Sequence, residues 1–279
     1  MKLSVINTGF FKLDGGAMFG VVPKTLWSRT NPADDKNLCT WAMRCLLIED
    51  GNKLILVDNG LGDKQSPEFF KHYYLHGSDS LLGSIKNAGY SPSDVTDMFL
   101  THLHFDHCGG GVKKEGEKYS LVFPNAAYWS NKAHWKWATE PNQREKASFF
   151  KENIMPIQES GHLKFVDANT ASPFPQFDIL CVDGHTEQMM LPIIRYSNKT
   201  ICYMADLIPS TSHIPVPYVM GYDTRPLLTM NEKQKFLDEA ADKGYILFFE
   251  HDPVSECCTL TRTEKGVRMD KSFALSEIL

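Results

Sequence analysis

The sequence lacks several features that would each indicate a class of protein. No apolar run approaches the ~20 residues needed to cross a membrane. No stripe of lysine and arginine is present, and the formal net charge of −5 gives no electrostatic reason to expect binding to nucleic acid or to a membrane. The seven cysteines include no C-x-x-C pair and no pattern of a disulfide framework. These absences favour a reducing compartment and a small-molecule substrate.

The N-terminal segment also lacks the pattern of a secretory signal. Its first apolar run is short and is soon followed by Lys12 and Asp14, so we expect a cytoplasmic protein. The hydrophobic content of 42% and the charged content of 23% are ordinary for a soluble globular chain of 279 residues. No linker, repeat or low-complexity segment separates the two halves, which predicts a single domain over residues 1–279.

One stretch, residues 101–110, is rich in potential metal ligands. It reads Thr-His-Leu-His-Phe-Asp-His-Cys-Gly-Gly and follows an apolar segment that predicts a buried strand. Imidazole nitrogens and carboxylate oxygens are the ligands of hydrolytic divalent ions. In His102-x-His104, alternate residues of an extended segment face the same way, so both rings can reach one ion, while Asp106 and His107 can turn toward a second. A merely polar, exposed loop is the alternative, and the density of ligands disfavours it.

Four further polar residues each follow a strand-like apolar run: Asp58, His185, Asp206 and His251. Strand ends commonly carry functional residues, so we expect these residues and the histidine run to serve one chemistry. Asp58 has two interpretations from its context alone. It either begins a turn through Asp-Asn-Gly, or it accepts the far N–H of a ligand histidine.

The remaining pattern predicts a mixture of strands and helices. Short apolar runs and glycine turns in the first ~60 residues are typical of an antiparallel sheet. Within them, the segment Gly15–Trp27 either packs into the core or lends apolar side chains to a pocket. Apolar spacing predicts helices over residues 67–87, 131–149 and 232–243, and a hairpin formed by residues 191–196 and 200–204.

The ordered set of motifs resembles the metallo-β-lactamase-fold hydrolases over about residues 54–251. The resemblance implies an α+β fold, an αββα sandwich in which two mixed β-sheets pack face to face with helices on both outer faces. It implies two divalent metal ions, with zinc expected first and Mn²⁺, Fe²⁺ or Co²⁺ as alternatives. The implied ligands are His102, His104 and His185 for the first ion, Asp106, His107 and His251 for the second, and Asp206 as a bridge.

Within that family, the chain looks most similar to the branch of N-acyl homoserine lactonases and methyl parathion hydrolase-like enzymes. The implied reaction is the opening of a small lactone or ester by a metal-bridging hydroxide, with Asp106 moving a proton to the leaving oxygen and Asp58 orienting a ligand histidine. The resemblance also implies a homodimer. The lactonases have a tyrosine three residues after the bridging aspartate, where this chain has Pro209. His213, Tyr218 and Tyr222, in the loop that follows, are candidates to replace it as the oxyanion donor, and a packing or surface role is the alternative for each.

Two alternatives remain open at this stage. The same site suits hydrolysis of a phosphotriester or phosphodiester, because the same nucleophile attacks phosphorus. A non-catalytic, metal-binding regulatory protein would keep the fold and lose ligands, and this sequence has the full ligand set.

Overall fold

The computed structural model describes residues 1–166 and 172–279 of the chain. The strands, numbered in chain order, are β1 Lys2–Asp14, β2 Leu38–Asp50, β3 Lys53–Val57, β4 Asp97–Phe99, β5 Val112–Glu115, β6 Lys118–Leu121, β7 Ala127–Asn131, β8 Leu163–Val166, β9 Phe177–Val182, β10 Met189–Tyr196, β11 Lys199–Tyr203, β12 Ile246–Phe248, β13 Cys257–Thr263 and β14 Gly266–Phe273. The α-helices are α1 Gly15–Phe19, α2 Lys24–Trp27, α3 Pro67–Phe70, α4 Leu81–Asn87, α5 Phe105–Cys108, α6 Lys132–Thr139, α7 Lys151–Glu159 and α8 Pro226–Lys243.

These elements form two compact units, neither of which is continuous in sequence. The first unit comprises Met1–Gly9, Met43–Lys71 and His76–Pro175, and the second comprises Phe10–Ala42, His72–Leu75 and Gln176–Leu279. The single domain expected from the sequence stays a prediction. Among the described residues, no helix is both long and apolar enough to cross a membrane.

The strands form two six-stranded sheets and a hairpin of β5 and β6. The first sheet has the order β1-β2-β3-β4-β7-β8, in which β3, β4, β7 and β8 run parallel and β2 pairs antiparallel with β3. The second has the order β14-β13-β12-β11-β10-β9, in which only β11 and β12 are parallel neighbours. Both sheets are therefore mixed, as the sequence predicts.

The core of the first unit explains why its central strands are continuously apolar. Residues Leu54–Val57 of β3 are all buried, and Met98 and Phe99 of β4 beside them are fully buried. Strands of a parallel sheet are covered on both faces, so no polar alternation is expected in them.

Two of the helices expected from the sequence are wrong in extent. The helix expected over residues 67–87 is two short helices, because Gly77 adopts φ +91° and the hydroxyl of Ser80 caps a new helix at the backbone N–H of Gly83. The helix expected over residues 131–149 ends at Thr139, near Pro141, a residue type that disfavours helical backbone in the residue before it. The predicted hairpin is present as β10 and β11, and α8 contains the predicted helix over residues 232–243.

In the second unit, Gly15–Trp27 forms α1 and α2 and packs against the segment of residues 210–221. The ring of Phe19 stacks on the ring of His213 at 4.4 Å and on Trp27 at 5.4 Å. The N–H of Gly221 donates to the carbonyl of Ala17 at 2.8 Å. Phe19 and Trp27 are almost fully buried, so their role is core packing.

A buried lysine on α8 fixes the same segment from its other side. Lys233 is fully buried, and its ammonium donates to the carbonyl oxygens of His213 at 2.6 Å, Tyr218 at 2.7 Å, Pro215 at 3.2 Å and Val216 at 3.4 Å. Burial lowers the pKa of Lys233 to about 7, and the nearby carboxylate of Asp223 partly opposes this shift. One side chain therefore holds the backbone of residues 213–218 in place.

His213, in that segment, has both ring nitrogens engaged. Its Nδ1 lies 2.7 Å from the hydroxyl of Ser210, and its Nε2 lies 2.8 Å from the carbonyl oxygen of Met18, to which it donates. Burial lowers the pKa of His213 to about 3, so the ring is neutral at pH 7.

We predict that Lys233→Met lowers the free energy of unfolding by about 3 kcal/mol, because several buried carbonyl groups lose their donor. Lys235→Met, on an exposed position of the same helix, is the matched control and is expected to change stability by less than about 0.5 kcal/mol. Urea unfolding followed by circular dichroism measures both. Equal losses in the two variants would contradict the role given to Lys233.

We also predict that His213 makes the protein sensitive to acid. Its pKa in the folded state is below the usual 6.5, so the unfolded state takes up the proton first and stability falls as the pH drops below about 6.5. Between pH 7 and pH 5, the wild type should lose about 2 kcal/mol more than His213→Gln, whose amide can still donate to Met18. Urea midpoints at the two pH values test this, and parallel losses would contradict it.

Candidate metal centre

In the first unit, neighbouring parallel strands deliver the predicted residues to one place. Asp58 directly follows β3, and the histidine run begins shortly after β4, which pairs parallel with β3. The chain turns sharply at Asp58, whose φ is +56°, a left-handed value that aspartate tolerates better than most residues. One carboxylate oxygen of Asp58 accepts from the N–H of Thr101 at 2.8 Å and the other from its hydroxyl at 2.7 Å.

The four predicted ligands of this unit are buried and grouped. His102 Nε2 lies 3.0 Å from His104 Nδ1, close to the spacing of about 3.3 Å expected for two nitrogens bound to one tetrahedral zinc at about 2.0 Å. Asp106 and His107 lie on α5, with Asp106 Oδ2 4.0 Å from His107 Nε2. The structure therefore brings together His102 and His104 as one pair of donors and Asp106 and His107 as another.

The glycines that follow the histidine run allow its backbone to approach the loop after β3 closely. A Cβ at Gly109 would lie 2.1 Å from the carbonyl oxygen of Leu61, and one at Gly110 would lie 2.1 Å from that of Asn59. Gly109 has an ordinary φ of −69°, so steric room rather than backbone freedom requires it. Backbone bonds from Asn59 N to His107 O at 2.9 Å and from Gly110 N to Gly60 O at 3.0 Å join the two loops.

In the second unit, one carboxylate lies between two histidines. Asp206 Oδ2 is 3.1 Å from His185 Nε2, and Asp206 Oδ1 is 3.1 Å from His251 Nε2. Asp206 follows β11 and His251 follows β12, its parallel neighbour, while His185 follows β9. All three side chains are buried. The structure therefore places these three predicted residues together.

Each histidine predicted to be a ligand is held at one ring nitrogen by a neighbouring acceptor or hydroxyl. The pairs are His107 Nδ1 with Asp58 at 3.1 Å, His185 Nδ1 with Asp223 at 2.9 Å, His104 Nε2 with Glu145 at 3.2 Å, His102 Nδ1 with the Thr101 hydroxyl at 3.1 Å, and His251 Nδ1 with the Ala42 carbonyl at 2.8 Å. Such partners fix the orientation and tautomer of a metal-binding imidazole. Sequence reasoning found Asp58 and missed Glu145 and Asp223, which lie in loops that carry no motif.

The electrostatics of the second unit favour a positive charge. Burial alone would lower the pKa of His185, but Asp206 and Asp223 on its two sides raise it to about 10. Two buried carboxylates therefore attract a cation at this position. Together with imidazole and carboxylate donors in both units, this charge balance fits a divalent ion such as zinc.

Two other residues beside the histidine run support it without being ligands. His134 is buried, and its Nε2 accepts the backbone N–H of Leu103 at 2.8 Å. Burial raises the pKa of the Cys108 thiol to about 12, and the thiol donates to the carbonyl of Leu103 at 3.3 Å. Cys108 therefore stays protonated and packs beneath the loop.

The expected substitutes for the missing tyrosine differ in their surroundings. His213 is unsuited, because both of its ring nitrogens are engaged. Tyr218 packs edge-on against Phe19 and lines a cleft of about 280 Å³, whose lining includes none of the predicted ligands. Tyr222 is 40% exposed and immediately precedes Asp223, the partner of His185. A role of Tyr218 or Tyr222 as oxyanion donor stays a prediction.

Comparison with known proteins identifies the family to which this fold belongs. The model of the metallo-β-lactamase superfamily matches residues 44–251. The N-acyl homoserine lactonase AiiA of Bacillus thuringiensis subsp. kurstaki is 23% identical over 239 residues, which cover 81% of this chain and 86% of the relative. Two of the similar solved structures each align with 98% of this chain. One is described as a probable metal-dependent hydrolase from Staphylococcus aureus, with a TM-score of 0.87, 24% identity and 98% of that chain covered.

The second solved structure is AidC, described as a dizinc quorum-quenching lactonase in complex with a product. It has a TM-score of 0.80 and 26% identity, and 95% of that chain is covered. The family match extends over most of the chain and includes every predicted ligand, from His102 to His251. The chain is therefore a hydrolase of the metallo-β-lactamase superfamily.

Proposed function

We propose that the protein is a binuclear metal-dependent hydrolase that opens a small lactone or ester. In this proposal His102, His104 and His185 hold one ion, Asp106, His107 and His251 hold the other, and Asp206 contacts both. The observation that carries it is the position of Asp206, whose two oxygens face different histidines. A carboxylate shared in this way is suited to bridging two ions.

Bound divalent ions lower the pKa of water and polarise the oxygen of the substrate. The chain's own residues supply the rest of the chemistry. Asp106 is 9% exposed, which leaves its carboxylate enough access to move a proton to the leaving ring oxygen. Asp58 does not touch substrate in this account; its hydrogen bond keeps His107 Nε2 directed toward the ion.

The choice of a lactone or ester is supported by the relatives, several of which are named as lactonases. The segment of residues 14–22, which includes α1, and the segment of residues 218–222 meet in the second unit, where the N–H of Gly221 donates to the carbonyl of Ala17. Val21, at 94% exposure, gives this pair an apolar surface for the substrate's hydrocarbon part. Zinc as the native metal, the homodimer and the cytoplasmic location stay predictions.

We predict that the zinc-loaded protein hydrolyses an acyl homoserine lactone faster than an aryl ester or an aryl phosphotriester. His104→Ala should lower the rate of lactone hydrolysis by more than about 100-fold, because it removes a proposed metal ligand. Loss of a residue that only orients a ligand costs at most about 100-fold. His72→Ala, on an exposed histidine, is the matched control and should keep full activity. Steady-state rates on the three probes measure this.

The outcomes separate the competing activities. Turnover of the phosphotriester alone would favour the phosphotriesterase alternative over the lactonase. Absence of turnover on all three probes would contradict the proposed substrate class. Full activity in His104→Ala would contradict the proposed metal site itself.

A further inference from the structure

Glu145 is a buried carboxylate that none of the sequence motifs includes. It lies in the loop between α6 and α7 and is 3% exposed. Its Oε1 is 3.2 Å from His104 Nε2, and its Oε2 accepts from Trp137 Nε1 and from Asn142 Nδ2, each at 2.6 Å. Three side-chain donors therefore share one carboxylate.

The loop that carries Glu145 is itself fastened to the histidine run. The N–H of Glu145 donates to Asn142 Oδ1 at 3.1 Å, and its carbonyl accepts from Ser148 N at 2.7 Å. The carbonyl of Ser148 accepts from Phe105 N at 2.9 Å, one residue after His104. These hydrogen bonds therefore hold the carboxylate of Glu145 in place without a metal ion.

The hydrogen bond between Glu145 and His104 determines which ring nitrogen of His104 can bind a metal ion. A carboxylate can only accept, so the proton of neutral His104 must be on Nε2 and the lone pair on Nδ1. Nδ1 is the atom that lies 3.0 Å from His102 Nε2. Four other histidines of the site, His102, His107, His185 and His251, have Nδ1 engaged instead. His104 alone among these five has the opposite arrangement.

We propose that Glu145 is a positioning residue that fixes the tautomer and orientation of His104, so that Nδ1 faces the ion shared with His102. This inference rests on the proposed metal site. Replacement of the acceptor by Glu145→Gln leaves one acceptor oxygen for three donors. The ring of His104 is then no longer held in a single state.

Two measurements on Glu145→Gln test the proposal. Long-range ¹H–¹⁵N correlation spectra of the metal-free protein should show His104 as the Nε2–H tautomer in the wild type and as a mixture in the variant. Chelator competition should show two zinc sites in the wild type. In the variant, one site should weaken by about 10–100-fold while the other is unchanged.

Asp97→Asn is the matched control for loss of a buried carboxylate. Asp97 also accepts from an indole, Trp129 Nε1 at 2.9 Å, and pairs with Lys53. Within the described part of the chain, it makes no hydrogen bond to a predicted ligand. Asp97→Asn should therefore have the same two zinc affinities and the same His104 tautomer as the wild type.

A second variant guards against a failure of Glu145→Gln to fold. Trp137→Phe removes one donor from Oε2 without changing the Oε1 contact to His104. It should retain both zinc affinities to within about threefold. An equal loss in Trp137→Phe and Glu145→Gln would overturn the proposal in favour of general packing, as would an unchanged tautomer in Glu145→Gln. A wild type that binds no zinc would instead contradict the proposed function.

Discussion

A histidine that binds a metal ion almost always donates its other ring N–H to a partner, and this constraint governs the predicted site. All five predicted histidine ligands are at most 7% exposed, so neither nitrogen can rely on bulk water. In the structure, one nitrogen of each ring has a hydrogen-bond partner, and the other nitrogen faces another predicted metal ligand. Each ring is thereby oriented before an ion arrives.

The hydrogen-bond partners of the histidines come from strands in some cases and from loops in others. Asp58 is placed by the register of two parallel strands, and the Ala42 carbonyl by the backbone of β2. Glu145 and Asp223 come from loops and depend on further contacts, such as the indole of Trp137 against Glu145. The loop after Asp206 is held in turn by Lys233, a fully buried amino group that donates to backbone carbonyl oxygens. Stability and site geometry therefore depend on the same buried polar groups.

The sequence alone could predict the candidate ligands, because four of them lie within residues 102–107 and the others each follow a strand-like run in the order typical of the family. It could not predict Glu145 or Asp223, since their separations from the histidines they orient, 41 and 38 residues, are set by loop folding. The helix expected over residues 131–149 would have placed Glu145 on a helix, whereas a turn near Pro141 frees it to reach His104. The role of His213 was open in the sequence because burial, not residue type, makes it a packing residue.

The most direct test of the proposed binuclear site is anomalous diffraction at the zinc absorption edge, using crystals of the zinc-loaded protein. The proposed site predicts two anomalous peaks, one beside His102, His104 and His185 and one beside Asp106, His107 and His251, with a carboxylate oxygen of Asp206 directed at each. A single peak, or peaks remote from Asp206, would contradict it.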